Sequence, residues 1–340
     1  MKIQKINTDR LIIIFIVFLA AILRLYNADA IPYTHDEFSA LFRTNFNTFS
    51  ELINGGVLPD THPAGVQVFM FYWIKIFGSD ALIVKLPFIL MGIASVYLLW
   101  LIATNWFNTS VALLAALFLA TLEYPIMHSQ IARPYISGMF LSLWMVYHWT
   151  KYLFKTKSKF NSNLVLYILA SALCAYNHHF SLLFAAIVGL SGLFFIDRNR
   201  ILPYTLAGLS IFLLYVPHVS IFFHQLNKGG VGGEDGWLGL PQSDFLWQFI
   251  KYIFNFSSLL LGMVAVIILL ALRYPTRHFQ EKKKFLYLSL FWFLIPFLIG
   301  YFYSLEVNPV LQYSVLIFSF PFLFFILFGH LKQLSFKCCL

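Results

Sequence analysis

The stretch LIVKLPFILMGIASVYLLWLIA, residues 82–103, decides the class of this fold. A helix needs about 20 mostly apolar residues to cross about 30 Å of hydrocarbon, and this stretch is long enough and carries a single charge, Lys85, near its start. The whole 340-residue chain is 60% hydrophobic and 11% charged, with a mean hydropathy of +0.78. The sequence therefore predicts an all-α polytopic membrane protein and excludes soluble, secreted and fibrous classes.

Similar apolar stretches recur along the chain and predict about ten transmembrane helices. They cover residues 9–26, 82–103, 109–127, 134–154, 163–177, 180–196, 203–223, 250–272, 285–305 and 309–329. One further stretch, residues 64–78, is shorter and contains Lys75. It is either a short span or a helix that lies in the membrane interface.

The basic residues resolve this ambiguity, because cytoplasmic loops carry an excess of Lys and Arg. If residues 64–78 do not span, most of the 23 basic residues lie on the same side as the N-terminus. The sequence then predicts one domain over residues 1–340, ten spans and two cytoplasmic termini. The two long outer segments are residues 27–81 and 224–249, and most of the 14 acidic residues lie on that side.

The formal net charge of +9 does not indicate a nucleic-acid partner, since the basic residues form short runs between apolar stretches. Ionisable side chains are almost absent from the span interiors, whereas transporters usually need them at mid-membrane depth. The sequence therefore places the chemistry at the outer surface.

The first candidate group, His35-Asp36-Glu37, follows the first span by about ten positions. A carboxylate at a membrane surface can act as a general base for a hydroxyl. Acidic residues also favour the first turn of a helix, and a helix is predicted after Glu37. The sequence leaves both roles open, a catalytic base and a helix cap.

The second candidate group is Asp60-Thr61-His62-Pro63, directly before the stretch 64–78. Pro63 suits the first turn of a helix, and Asp60 or Thr61 suits its cap. His62 at this position could also bind an oxyanion or orient Asp36.

The third candidate group contains Arg133 and Tyr135, between two predicted spans on the outer side. An Arg at a membrane surface often only reaches for lipid headgroups. A guanidinium also captures phosphate through two parallel N–H groups, and Tyr135 would add a hydroxyl donor. Phosphate binding and membrane anchoring remain alternatives.

The adjacent histidines His178 and His179 lie at the outer end of another span. Neighbouring residues on a helix point about 100° apart, so the two rings are poorly placed to share one metal ion. Substrate binding and simple hydrogen bonding to neighbours are the alternatives.

A glycine-rich run, GGVGGEDG at residues 229–236, precedes Trp237 in the second outer segment. It lacks the strand-turn-helix setting of a nucleotide-binding loop. It is either a mobile loop that closes over the substrate, with Trp237 as a contact, or a linker.

One carboxylate base, Asp36, and one Arg on the predicted outer side, Arg133, suit the transfer of a sugar from a phosphate leaving group. Glycosidases need two carboxyl groups, because a departing alkoxide must be protonated. Phosphate is a better leaving group, so a transferase with a lipid-phosphate sugar donor needs one base for the acceptor hydroxyl and cations for the phosphate.

In their order along the chain, these motifs resemble the polyprenyl-phosphate-dependent membrane glycosyltransferases of the C-type superfamily. The similar members are the family 39-like enzymes: protein O-mannosyltransferases, aminoarabinose transferases of lipid A and lipopolysaccharide-core sugar transferases. The residues that carry the resemblance are Asp36-Glu37, His62-Pro63, Gly78 with Lys85-Leu86-Pro87, Arg133-Pro134-Tyr135 and Asn177-His178-His179.

The resemblance implies a polyprenyl-phosphate sugar donor, a glycan, lipid or protein acceptor, and juxtamembrane helices in the first outer loop. It implies an active site on the periplasmic face of the inner (plasma) membrane. By position, Asp36 would be the catalytic base with Glu37 beside it. Arg133 and Tyr135 would bind the donor phosphate, and the substrate-binding residues would be His62, His178 and His179.

The sequence departs from the family in two ways. Relatives often carry Arg-Tyr before the last Pro-containing span, but this chain has Gln312 and Tyr313. One phosphate contact is then either absent or supplied by Lys75, Lys85 or Lys251. The chain also ends just past its tenth predicted span, so an inactive, truncated transferase is one alternative, and a transporter or flippase of lipid-linked sugars is another.

We expect no essential cofactor. If a divalent cation is required, the residues that could gather around it are Asp36, Glu37 and His62.

Overall fold

The computed structural model describes residues 8–227, 236–273 and 279–334. Residues 229–235 of the glycine-rich run and the basic residues Lys2, Lys5, Lys228, Arg277 and Lys337 therefore lie outside the described part. Within it the regular elements are helices: α1 Thr8–Leu25, α2 His35–Phe42, α3 Phe49–Glu51, α4 Ala64–Phe77, α5 Ala81–Trp106, α6 Thr109–Thr121, α7 Glu123–Ser129, α8 Pro134–Phe154, α9 Ser162–Asn177, α10 His179–Gly192, α11 Ile201–Tyr215, α12 Val219–Asn227, α13 Phe245–Ile253, α14 Ser258–Arg273, α15 Phe279–Glu306 and α16 Pro321–Phe328.

Three described helical segments are long and apolar enough to cross a membrane: Ala81–Trp106, Arg198–Asn227 and Gln280–Glu306. Two bent pairs, α6 with α7 and α13 with α14, raise the number to five if each pair is one span. The all-helical class is thus confirmed, while the ten-span count stays a prediction.

The expected span over residues 250–272 is wrong as one continuous helix. α13 ends at Ile253, α14 begins at Ser258, and their axes differ by 93°. Asn255 and Phe256 between them have φ angles of 55° and 52°, which a right-handed helix cannot contain.

The expected span over residues 309–329 is also interrupted. The structure forms a 3₁₀ helix, Ser314–Phe318, and then the eight-residue α16. Pro321 is the first residue of α16, where its missing N–H costs nothing and its ring favours a new helix start.

The C-terminal end of α1 is tied to the bend between α6 and α7, whose axes differ by 58°. Arg24 is fully buried, and its guanidinium donates to the carbonyl oxygens of Leu119 (2.8 Å) and Ala120 (3.0 Å) near the end of α6. It also donates to Ser129 Oγ at 3.1 Å. Since the last carbonyls of a helix lack intrahelical partners, Arg24 caps α6 and positions the segment that leads to α8.

The core is dense in aromatic rings. Trp106, Trp149 and Trp292 are buried, and the ring centroid of Trp292 lies 5.6 Å from that of Trp106 and 5.2 Å from that of Trp149. Each indole N–H donates to a side-chain hydroxyl at 2.9–3.0 Å. These three bonds satisfy the buried indole donors, so the three tryptophan side chains pack in the core without an unpaired N–H group.

The segment between α1 and α5 folds back on itself in short helices. Gln67 of α4 donates to the carbonyl of Ala40 in α2 at 2.7 Å, which ties the two helices together. α3 continues into a π-helix, Leu52–Val57, and α4 is followed by its C-cap residue Gly78, whose φ of 94° favours glycine. The bond from Gln67 therefore holds α2 beside α4.

Candidate active site

A cavity of about 440 Å³ lies where the first outer segment meets α8, α10, α12 and α15. Residues from all four candidate groups that contain histidine, arginine or carboxylate side chains line it. The polar lining residues are Asp36, Ser39, Arg43, Asp60, Thr61, His62, Arg133, Tyr135, His178, His179, Gln225, Tyr303, Asn308 and Gln312. The tertiary structure thus brings motifs up to about 140 positions apart in the sequence to one site.

Asp36 enters the cavity from α2, on the same helix face as Ser39 and Arg43, since residues three, four and seven apart share a face. Its side chain is 58% exposed, and the nearest basic group is His35 Nδ1 at 4.0 Å. Asp36 is therefore a carboxylate that faces the cavity and remains available to a substrate hydroxyl.

Glu37 does not line the cavity, although the sequence placed it beside Asp36 as a catalytic residue. Its Oε2 accepts from the backbone N–H of Thr34 at 2.9 Å, and the Thr34 hydroxyl caps the N–H of Glu37 in return. Its Oε1 accepts from the Ala132 N–H at 2.8 Å. Glu37 is buried and fixes α2 against the residue that precedes Arg133, so the capping role is the one that its contacts support.

Asp60 is the centre of a charged network in the cavity wall. Its Oδ1 accepts from Arg43 Nη1 at 2.8 Å and from the Thr61 N–H at 2.7 Å, and lies 3.3 Å from His62 Nδ1. Burial alone raises the pKa of this carboxyl. The contact with His62 and the charges of the two nearby guanidinium groups outweigh burial and hold the pKa well below its usual value. Asp60 is therefore ionised and poorly suited to act as a base.

His62 connects Asp60 to Arg133. Burial, and then the charge of Arg133, lower the pKa of His62, although Asp60 acts in the opposite direction. Its Nδ1 lies 3.2 Å from Arg133 Nη2 as well as 3.3 Å from Asp60 Oδ1. A guanidinium only donates and a carboxylate only accepts, so Nδ1 can satisfy one partner at a time.

Arg133 is buried, precedes Pro134 at the start of α8, and lines the cavity. Its Nε has no hydrogen-bond partner among the described residues. When His62 donates to Asp60, Arg133 also loses its contact with His62. The guanidinium is then free to present two parallel N–H groups to an anion.

His178, His179 and Tyr135 complete the wall next to His62. The rings of His62 and His178 meet edge to face, with centroids 5.3 Å apart, and His178 Nδ1 accepts from the Phe180 N–H at 3.0 Å. Because that bond uses Nδ1 as an acceptor, the neutral ring carries its proton on Nε2. Trp237 also lines the cavity.

Two lysines expected at the phosphate lie elsewhere. Lys75 Nζ donates to the carbonyl of Asn47 at 2.8 Å and sits over the ring of Phe71. Lys85 is buried and donates to the carbonyl of Ile31 at 2.7 Å. Neither lines the cavity, and neither does Lys251, which stacks on Trp247.

The sequence reasoning missed Arg43 and Gln225. Arg43 follows Asp36 by seven residues, and this spacing on a predicted helix could have placed both on one face. Gln225 lies at the end of a long apolar stretch, and no motif marks it. Gln312, which replaces the Arg of the relatives, does line the cavity.

The three residues named for the case that a divalent cation is required, Asp36, Glu37 and His62, are not grouped as a metal site. Within residues 8–227, 236–273 and 279–334, no three His, Cys, Asp or Glu side chains are grouped so that they could hold a metal ion. The oxygens of Glu37 are engaged with backbone groups, which separates it from Asp36 and His62.

Comparisons with known proteins bear on this site. Residues 61–221 match the family model described as Dolichyl-phosphate-mannose-protein mannosyltransferase. The crystal structure of ArnT from Cupriavidus metallidurans bound to undecaprenyl phosphate superposes with a TM-score of 0.65 at 12% identity, over 93% of this chain and 59% of that chain. The resemblance to the C-type glycosyltransferases is confirmed. At this level of identity the structural match shows the fold, and this chain spans about six-tenths of the length of ArnT.

Two further solved structures are similar. The Archaeoglobus fulgidus oligosaccharyltransferase in complex with zinc and sulfate has a TM-score of 0.50 at 11% identity, over 94% of this chain and 48% of that chain. The Saccharomyces cerevisiae Pmt1-Pmt2 complex bound to its sugar donor has a TM-score of 0.47 at 13% identity, over 74% and 37%. No curated protein matches the chain.

Proposed function

We propose that this protein is a membrane glycosyltransferase that moves a sugar from a polyprenyl-phosphate donor to an acceptor hydroxyl. The observation that carries the proposal is the pairing of an available carboxylate, Asp36, with two guanidinium groups, Arg43 and Arg133, in one cavity. This is the set of groups that sugar transfer from a phosphate leaving group requires.

In the proposed reaction, Asp36 takes the proton of the acceptor hydroxyl while the hydroxyl oxygen bonds to the anomeric carbon. The bond between that carbon and the donor phosphate oxygen breaks, and its electron pair leaves with the phosphate. Arg133 and Arg43 stabilise the charge that develops on the phosphate. Arg43 thereby compensates for Gln312, the position at which relatives carry an Arg.

The apolar part of the cavity suits the lipid portion of the donor. Its wall includes Leu183, Ile299, Val310 and Val315, contributed by α10, α15 and the chain after it. An isoprenoid chain would lose contact with water there, and the phosphate would remain beside the guanidinium groups.

We further propose the topology predicted from the sequence: ten spans with juxtamembrane helices after the first, cytoplasmic termini, and the cavity on the periplasmic face of the inner membrane. The proposal is supported by the excess of Lys and Arg in the loops that this topology places on the cytoplasmic side. In intact cells, a cysteine introduced at Lys282 should resist an impermeant maleimide, and one at Asp29 should react. Labelling at Lys282 from outside would overturn the topology.

The proposed activity is tested with purified protein, polyprenyl-phosphate mannose and polyprenyl-phosphate glucose. We expect release or transfer of the sugar with formation of polyprenyl phosphate. A flippase would instead move the intact donor between leaflets of proteoliposomes, and an inactive remnant would do neither. Lipid translocation without breakage of the sugar–phosphate bond would overturn the proposal.

A further inference from the structure

The segment that presents Asp60 and His62 is held by α12 through two side chains. Gln225 Nε2 donates to the carbonyl oxygens of His62 (2.7 Å) and Val57 (3.2 Å). His218, in the turn that leads into α12, accepts from the Ala64 N–H through Nε2 at 2.9 Å. Three backbone groups on residues 57–64 are thus bound from one neighbouring helix.

Both side chains are fixed in orientation. Carbonyl oxygens only accept, so the amide nitrogen of Gln225 must face Val57 and His62. His218 Nε2 accepts from a backbone N–H, so its proton is on Nδ1, which lies 3.1 Å from the Tyr215 hydroxyl. The exposed fractions of Gln225 and His218 are 4% and 1%, so water does not compete for these bonds.

The spacing explains how one helix reaches both ends of the segment. His218 and Gln225 are seven residues apart, about two helical turns, and therefore lie on one face. The start of α4 is packed closely on its other side, since a Cβ on Gly65 would lie 2.5 Å from the Tyr176 carbonyl oxygen. Residues 57–64 are consequently confined between α9 and α12.

We propose that Gln225 and His218 are positioning residues for the phosphate end of the cavity. They hold Asp60 and His62 so that Arg43 and Arg133 converge on the donor phosphate. Asp36 lies on α2 and is fixed separately through Glu37. The inference rests on the proposed function, and it assigns to α12 a role in donor binding.

The test is binding of undecaprenyl phosphate to the purified full chain. Gln225→Met, which keeps the size of the side chain and removes its donors, should raise the Kd about tenfold or more. Gln248→Met is the matched control, because Gln248 lies on α13 and, among the described residues, its side chain donates to Asp244, the residue before that helix. Its Kd should equal that of the wild type.

His218 provides a rescue experiment. His218→Leu removes the acceptor for the Ala64 N–H and should weaken binding, whereas His218→Gln offers a carbonyl oxygen and should restore most of it. Folding is followed separately by thermal unfolding. A general loss of structure would lower the bound fraction without changing the Kd of the folded fraction.

The outcomes separate the two proposals. If the wild type binds undecaprenyl phosphate and Gln225→Met binds it equally well, α12 does not position the site, while the proposed function stands. If the wild type does not bind it, the proposed function fails, and the inference fails with it.

Discussion

Replacement of Asp36 by Asn is expected to lower the rate of sugar transfer by about 10²- to 10⁴-fold, the usual contribution of a general base. Asn has nearly the same shape but cannot take the acceptor proton. Asp36 is more than half exposed to the cavity side of α2, so the change should leave folding intact. The measurement is kcat with a saturating polyprenyl-phosphate sugar, alongside the thermal unfolding midpoint.

Two comparison variants make this result specific. Glu37→Gln keeps an oxygen that can accept from the Ala132 N–H, so its loss of activity should be much smaller than that of Asp36→Asn. Asp29→Asn changes an exposed carboxylate of the same segment that does not line the cavity, and it should retain wild-type activity. Wild-type kcat in Asp36→Asn, or an equal loss in Glu37→Gln, would contradict the assignment of the base.

Replacement of Arg133 by Lys is expected to reduce kcat/KM for the donor by about 10²- to 10³-fold, similar to the loss of one oxyanion-stabilising donor. Lys keeps the positive charge but lacks the planar pair of N–H groups that matches a phosphate. It also cannot reproduce the contact with His62 Nδ1 in the same geometry. Steady-state kinetics over a range of donor concentrations measure the effect.

Lys251→Gln is the matched control for Arg133, because Lys251 is a cation of α13 whose ammonium group lies over the Trp247 ring, outside the cavity. Its kcat/KM should be within about twofold of the wild type, since a rim charge changes mainly encounter rates. Unchanged kinetics in Arg133→Lys would mean that the leaving phosphate is stabilised elsewhere.

The different contacts of two adjacent carboxylates show why sequence reasoning could predict the candidate site but could not assign a role to every residue in it. Asp36 and Glu37 are adjacent and chemically alike, and a helix turns successive side chains by about 100°. That rotation directs Asp36 to the cavity and Glu37 to the Ala132 N–H. Which carboxylate takes which role depends on the face of α2 that packs against the residues before α8, and this contact cannot be read from adjacent positions in the sequence.

The basic residues also show that sequence motifs do not reveal which side chains reach the cavity. Lys85 belongs to a motif that resembles the family, yet its amine is satisfied by the carbonyl of Ile31. Arg43 has no motif but forms an ion pair with Asp60 at the cavity wall. Local chemistry predicted that cations were needed, and long-range packing decided which ones reach the site.

By itself, the sequence determined that this is an all-helical membrane protein, because the apolar length and the scarcity of charge leave no other way to satisfy backbone groups in lipid. It also predicted which motifs would carry the chemistry. Only the tertiary structure decided that Asp36, Asp60, His62 and Arg133 share one cavity and that the helices break near residues 255 and 320. Those features arise from contacts between segments far apart in the chain. Hydrophobic periodicity and composition, in contrast, reflect only residues that are close together in the sequence.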